Sequence, residues 1–287
     1  MINSVPSLDD YPTLKRDIER AVAIALEEDI GDGDITAQLI PADKTASATI
    51  ITREDCVVCG CPWVEEVFKQ LDPNVTITWN VKDGDHVDAN STLCSLEGNA
   101  RVLLTGERTA LNFLQLLSGT ASTSRSYAEL VKDSPVKILD TRKTIPGLRT
   151  AQKYAVACGG CFNHRMGLYD AFLIKENHIA ACGGIAEAIA QARKQAPGKK
   201  IEVEVESITE LEEAIDHNPD IVMLDNFSNE QLKQAGDCKP IKQLYEASGN
   251  IDQTSLDQRR NACVDLISSG SLTKNIIAID LSLRIII

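Results

Sequence analysis

The sequence predicts an α/β protein in which an α+β segment is followed by an α/β barrel. Three observations carry that prediction. From about Val136, short apolar strands alternate with helical segments, the pattern of βα units. Each of those strands ends in polar or small residues, and strand carboxyl ends are where such folds place their sites. Residues 201–206 alternate strictly between apolar residues and glutamates, so one face suits packing on helices and the other carries Glu202, Glu204 and Glu206.

The elements follow in order. Leu14, Ile18, Ala21 and Ala25 share one helical face. Residues 45–52 are rich in β-formers, and Val64, Val67, Phe68 and Leu71 mark a second helix. Val75, Ile77 and Trp79 alternate as a half-buried strand, with a turn at Asp83-Gly84. Residues 107–118 read as a helix that Gly119 is expected to stop. Six strands are placed at 136–140, 171–175, 201–206, 220–225, 242–248 and 265–269, with helices between them such as 185–195 and 208–218. The tail 276–283 is strand-like but has no helix after it, so it is expected to return to the first part.

The chain has 287 residues, 43% hydrophobic and 25% charged, enough for one or two globular domains with a sizeable core. A formal net charge of −13 argues against nucleic acid or an anionic membrane as partner, since both need a basic surface. No apolar run near the start has signal-peptide or membrane-spanning length. Nine cysteines without secretory context read as reduced thiols in the cytoplasm. Metal sites at Cys56, Cys59 and Cys61, or at Cys158 and Cys161, each lack a second pair at a familiar spacing. Small buried hydrophobes are the preferred reading.

Charge is distributed unevenly. Lys137, Arg142, Lys143, Arg149, Lys153, Arg165 and Lys175 outnumber Asp140, Asp170 and Glu176 between residues 137 and 178, in a chain with 29 basic and 42 acidic residues. Adjacent cations repel, so the pairs Arg142-Lys143 and His164-Arg165 point to an anion seated between them rather than to a solvated surface. Arginine offers a planar fork for a carboxylate, lysine a point charge. Lys175 ends a strand and could be a Schiff-base nucleophile or an anion ligand; the cations around it favour the ligand. Carboxylates on the inner face of a barrel strand need cationic, metal or hydroxyl partners, unless residues 201–206 form a solvated edge. Ser248-Gly249-Asn250 and Gly270-Ser271 close the last two strands, where small residues let backbone N–H groups approach a phosphate.

The segments 106–112 (GERTALN), 140–144 (DTRKT), 159–165 (GGCFNHR), 174–178 (IKENH), the 202/204/206 glutamates, 224–226 (LDN) and 246–250 (EASGN) together resemble the quinolinate phosphoribosyltransferases, in that family's order and through most of the chain. Cys161 stands where the family commonly has a third glycine, Lys274 where it commonly has a histidine, and Ile145 where it often has a threonine. The resemblance implies an N-terminal open α/β sandwich, residues 1–118 joined by a C-terminal strand within 275–287, and a seven-stranded incomplete α/β barrel, residues 119–274. It implies phosphoribosyl transfer from phosphoribosyl pyrophosphate to quinolinate with decarboxylation, in a homodimer that lends Arg108 to the neighbouring site. Quinolinate would meet Arg108, Thr141, Arg142, Lys143, His164, Arg165 and Lys175. The phosphoribosyl donor would meet Lys175, Glu204, Asp225, Ser248, Gly249, Asn250, Gly270 and Ser271. Lys143, Lys175, Glu204 and Asp225 would carry the chemistry. Magnesium would come mainly with the donor, with Glu204 and Asp225 as possible ligands, and no organic cofactor is implied. The alternatives are a molybdenum-associated paralogue with another acceptor and, from a different class, a non-catalytic anion-binding or cysteine-based metal protein.

Overall fold

The computed structural model describes residues 6–249, 251–253, 256 and 262–286. Its contacts divide the chain into two compact units. Of the described residues, one comprises 6–126, Ile145–Gly160 and the segment from Asn275; the other comprises Tyr127–Thr144 and Cys161–Lys274. By contacts the division falls between Ser126 and Tyr127.

The first unit opens with helix α1 (Leu14–Ile30), which buries Leu14, Ile18, Val22 and Leu26. The buried stripe keeps an i, i+4 spacing and is rotated slightly from the expected one. Strand β1 (Thr45–Thr52) leads to the short β2 (Cys56–Val57) and to helix α2 (Cys61–Leu71). Strands β3 (Thr76–Trp79), β4 (His86–Val87) and β5 (Thr92–Asn99) follow. An antiparallel sheet forms in the order β12-β1-β5-β3, where β12 is Leu281–Ile286. The tail thus returns as expected, pairing Ile50 with Leu283. Trp63, Val64, Val67 and Phe68 of α2 join Ile50, Leu96, Leu103 and Leu114 in one apolar core.

Helix α3 (Ala100–Leu130) runs straight through Gly119, so the expected stop at that glycine is wrong. The reason is packing. A Cβ at Gly119 would lie 2.2 Å from the Ile277 carbonyl oxygen, so the missing side chain lets the returning tail lie against the helix. Helix α4 (Arg149–Cys158) belongs to this unit too, and Thr150 Oγ1 donates to Asp17 of α1 at 2.9 Å.

The second unit is a parallel sheet. Strands β6 (Lys137–Leu139), β7 (Phe172–Ile174), β8 (Ile201–Val205), β9 (Ile221–Asp225), β10 (Leu244–Ser248) and β11 (Leu266–Ser268) match the six predicted strands in place, and they lie in the order β6-β11-β10-β9-β8-β7. The seventh strand of the implied barrel is one parallel bridge, Leu139 to Phe162, on the free side of β6. One residue of pairing has no periodicity, which is why sequence reading cannot find it. Helices α5 (Glu176–Cys182), α6 (Ile185–Gln195), α7 (Ile208–Asp216) and α8 (Asn229–Asp237) connect the strands, and α6 and α7 pack on β8. Strand β8 lies between β7 and β9, which removes the solvated-edge reading of its glutamates.

Alanine is the better helix former by about 1 kcal/mol, yet Gly119→Ala should destabilise the protein, by about 1–3 kcal/mol of overpacking against the Ile277 carbonyl. Chemical denaturation measures this, and an unchanged or raised midpoint would contradict the packing account.

Candidate active site

The carboxyl ends of the parallel strands bring most of the expected residues to one end of the second unit. Reading across the sheet, these are Thr141-Arg142-Lys143 after β6, Gly270 after β11, Ser248-Gly249 at β10, Asp225 at β9, Glu204 at β8 and Lys175 after β7. Asn250 lies outside the described residues. Arg108 lies on α3 in the other unit, with an exposed side chain.

The basic corner is built on Asp140, which is fully buried. Its carboxylate accepts from the His164 backbone N–H at 2.9 Å and from Asn163 Nδ2 at 2.7 Å, fixing the turn that carries Arg165. Arg165 Nη1 donates to the Ala171 carbonyl at 3.1 Å, just before β7. Burial and then the neighbouring Arg142 hold the Arg165 pKa below the usual guanidinium value. Two arginines so placed are relieved by an anion between them. Thr141 Oγ1 accepts from the Lys143 N–H at 3.0 Å, and Thr273 Oγ1 donates to the Lys143 carbonyl at 2.8 Å. A Cβ at Gly270 would sit 3.0 Å from Lys143 Cδ, so the basic corner adjoins the loop after β11.

The acidic side is built on β8. Glu202 and Glu204 are two residues apart, so both face inward, at 4% and 8% exposure. Glu204 is ion-paired with Lys175. Burial raises the Glu204 pKa against the opposing pull of Lys175, with Asp225 and Glu176 adding repulsion. Lys175 is thus one member of a salt bridge. Its backbone N–H donates to His178 Nδ1 at 3.0 Å, which shapes the start of α5.

The loops after β10 and β11 are tied together. Ser269 Oγ and Ser271 Oγ donate to the Ile251 carbonyl at 2.6 and 3.3 Å. Gly249 has φ +103° and Asn226 φ +53°. A Cβ at Gly249 would lie 2.2 Å from Asn226 Oδ1, so only glycine fits there. Asn226 Nδ2 in turn donates to Asp225 Oδ2 at 2.7 Å, orienting that carboxylate.

Glu246 is a further inward carboxylate, two residues before Ser248 and fully buried. His164 Nε2 lies 2.9 Å from Glu202 and 3.6 Å from Glu246. Glu202 and Glu246 were not singled out as site residues from sequence. The signal was present for both: Glu202 shares the period-2 face of Glu204, and Glu246 that of Ser248.

Of the cysteines, Cys59 and Cys158 come together with Asp83, with ligating atoms within 4.8 Å. Asp83 already accepts from the N–H groups of Gly60 and Cys61 at 2.9 and 3.0 Å and from Tyr154 Oη at 3.0 Å. Burial pushes the Cys59 and Cys61 thiols well above their ordinary value, toward the neutral form. Protein hydrogen bonds thus account for Asp83, and these two thiols behave as small buried groups.

Burial, and then the adjacent Glu202, push the Glu246 carboxyl from about 4.5 up to about 8. The folded chain keeps a proton there that the unfolded chain releases above about 4.5, so stability falls as pH rises toward about 8. Glu246→Gln is neutral throughout and should flatten that fall. Urea midpoints of both proteins across this window measure it, and parallel pH profiles would count against a protonated Glu246.

Two family models match the chain. The quinolinate phosphoribosyl transferase N-terminal domain covers residues 34–118, and the C-terminal domain of the same family covers residues 120–284. A probable nicotinate-nucleotide pyrophosphorylase [carboxylating] of Bacillus subtilis is 42% identical over 260 residues, 90% of each chain. Quinolinate phosphoribosyltransferase [decarboxylating] 1b of Nicotiana tabacum is 36% identical, over 96% of this chain and 83% of its own. The solved structure of the nicotinate-nucleotide pyrophosphorylase from Francisella tularensis superposes with a TM-score of 0.92 at 49% identity, over 99% of both chains.

Proposed function

The chain belongs to the quinolinate phosphoribosyltransferase family, and from that membership and the geometry of its site we infer the reaction it catalyses. It transfers the phosphoribosyl group of phosphoribosyl pyrophosphate to the ring nitrogen of quinolinate, with decarboxylation. The products are nicotinate mononucleotide, pyrophosphate and carbon dioxide, a step of NAD synthesis. The observation that carries this reading is the pairing of a crowded arginine corner with inward carboxylates at one end of one sheet. A dianionic acid suits the first, and a ribose whose anomeric carbon turns cationic suits the second.

Arg142, Lys143, His164 and Arg165 bind the two carboxylates of quinolinate, with Thr141 beside them. Lys175, gripped by Glu204, stands between acid and donor. Glu204 and Asp225 take the ribose hydroxyls and stabilise the oxocarbenium-like centre as the bond to pyrophosphate breaks. The small residues Ser248, Gly249, Gly270 and Ser271, with Asn250, receive the 5-phosphate. Glu204 and Asp225 are adjacent hard oxygen donors, a set that fits magnesium arriving with the donor and neutralising the departing pyrophosphate. Alkylation makes the ring nitrogen cationic, so the carbanion left by loss of the neighbouring carboxylate is stabilised without an organic cofactor. Tight contacts on the leaving carboxylate would oppose that step, so the strongest belong on the retained one.

The enzyme works as a homodimer, and Arg108 serves the neighbouring subunit's site. Arg108 lies well inside α3, which begins at Ala100. The proposal rests on the exposure of Arg108 and on the family motif around it. A cytoplasmic location accords with the free cysteines, and among the described residues no helix is long and apolar enough to cross a membrane.

Incubation with quinolinate, phosphoribosyl pyrophosphate and magnesium should release carbon dioxide, and none released would overturn the reading. Arg142→Ala or Arg165→Ala should each cost about 1.5–3 kcal/mol of charge-assisted binding, about 10- to 100-fold in kcat/KM, with folding little changed. For the dimer, Arg108→Ala and Arg142→Ala should each be poor as homodimers. Re-equilibrated together, they should recover toward about a quarter of wild-type activity, because half the dimers then hold one site with both arginines. Mixed dimers confirmed by tags but showing no recovery would place Arg108 outside the neighbouring site.

A further inference from the structure

A donor that reacts at its anomeric carbon must be held on both sides of that carbon, and here the two holds come from different strand ends. Asp225 closes β9, and Gly249 follows β10. The strands are neighbours, with Asp225 paired to Ser248. The side chain of Asn226 reaches both places. Its Nδ2 donates to Asp225 Oδ2 at 2.7 Å. Its Oδ1 lies so close over Gly249 that a Cβ there would meet it at 2.2 Å.

The backbone around Asn226 is fixed by other means. Phe227 is buried. Ser228 caps α8, its Oγ accepting from the Gln231 N–H at 3.2 Å and its own N–H donating to Gln231 Oε1 at 2.9 Å. The Asn226 N–H donates to the Ser248 carbonyl at 3.1 Å. None of these contacts uses the Asn226 side chain. Residue 226 has φ +53°, a conformation that glycine adopts most readily and asparagine as a second choice. Glycine would serve the turn equally well. The side chain is exposed, so apolar packing does not explain it either. What glycine would lack is the amide and its two contacts. A bond from an amide to a carboxylate is charge-assisted and directional, and the amide is planar. It spaces Asp225 from the Gly249 turn as one rigid group.

We propose that Asn226 is a positioning residue for phosphoribosyl pyrophosphate: its amide sets the Asp225 carboxylate relative to the Gly249 turn, and so fixes the span between the ribose hydroxyls and the 5-phosphate. Asn226 acts through these two groups and needs no substrate contact of its own. The proposal rests on the donor-site reading of Asp225 and Gly249 given above.

The test is steady-state kinetics of the full-length enzyme with both substrates varied and magnesium saturating, run beside thermal unfolding. Asn226→Gly keeps the backbone bonds and removes the amide. The KM for phosphoribosyl pyrophosphate should rise about tenfold or more, with the quinolinate KM within about threefold. The unfolding midpoint should stay within about 4 °C of wild type, since glycine takes this conformation without strain. Asn226→Asp keeps the shape and the tolerance of positive φ, but sets a carboxylate against Asp225 in place of a donor. It should raise the same KM at least as much as glycine does. A role confined to shaping the turn predicts instead that both variants keep the wild-type KM. An unchanged KM for phosphoribosyl pyrophosphate in either folded variant overturns the proposal, as do KM values that rise together for both substrates while the midpoint falls. Should the glycine variant fail to accumulate, the aspartate variant is read by the same criteria. Asp225→Ala, measured alongside, separates the two ideas. If it leaves kcat/KM for phosphoribosyl pyrophosphate unchanged, the donor site itself is misplaced. If it lowers that ratio and the Asn226 variants keep their KM, only the positioning role is lost.

Discussion

A carboxylate on the inner face of a sheet must meet a cation or keep its proton, and the chemistry of this protein is arranged around that constraint. Strand β8 turns two glutamates inward and β10 a third. Glu204 is answered by Lys175 from the end of the adjacent strand β7, and Glu202 by His164. Glu246 retains a proton. The cations have the converse difficulty. Arg142 and Arg165 stand close enough to repel, and burial adds to the strain on Arg165. In the proposed reading a doubly negative acid seated there relieves that repulsion. Binding and electrostatic relief are then one event.

The proposed reaction asks two different things of this arrangement. Transfer of the ribose needs negative charge near a carbon that becomes cationic, which inward carboxylates supply without reorganising. Decarboxylation needs the departing group held loosely. A corner in which Arg165 is pinned by both its backbone and its guanidinium can favour one carboxylate over the other, because direction, and not charge alone, then sets contact strength.

Much of this was legible in the chain. Period-2 alternation placed β8 and its inward glutamates, and the apolar runs placed the other five parallel strands, because burial between helices leaves a strong local pattern. Clustered cations against a net negative background pointed to the corner where Arg142 and Arg165 lie close together. What stayed hidden lacked a local signal. Gly119 carries the usual mark of a helix end, and only a carbonyl some 150 residues downstream reveals why it lies mid-helix. The pairing of Phe162 is a single bridge. The approach of His164 to Glu202 joins the turn held by Asp140 to β8, and no spacing in the sequence announces that they meet.

Strand β12 ties the ends of the chain together: β1 has β5 on one side and, on the other, a strand made after the whole parallel sheet. The antiparallel sheet therefore remains open along one side of β1 while the ribosome makes the intervening segments. Closing so long a loop adds little to the equilibrium cost, since that grows only with the logarithm of length, but it delays completion. During that interval the bare hydrogen-bonding row of β1 is a template for a wrong partner, such as β1 of another nascent chain. The alternating burial of β1, with Thr45 and Ser47 exposed, limits how much greasy surface accompanies that row. By the same logic the segment before residue 119 is not a portable module: cut out, it would lack both its closing strand and α4.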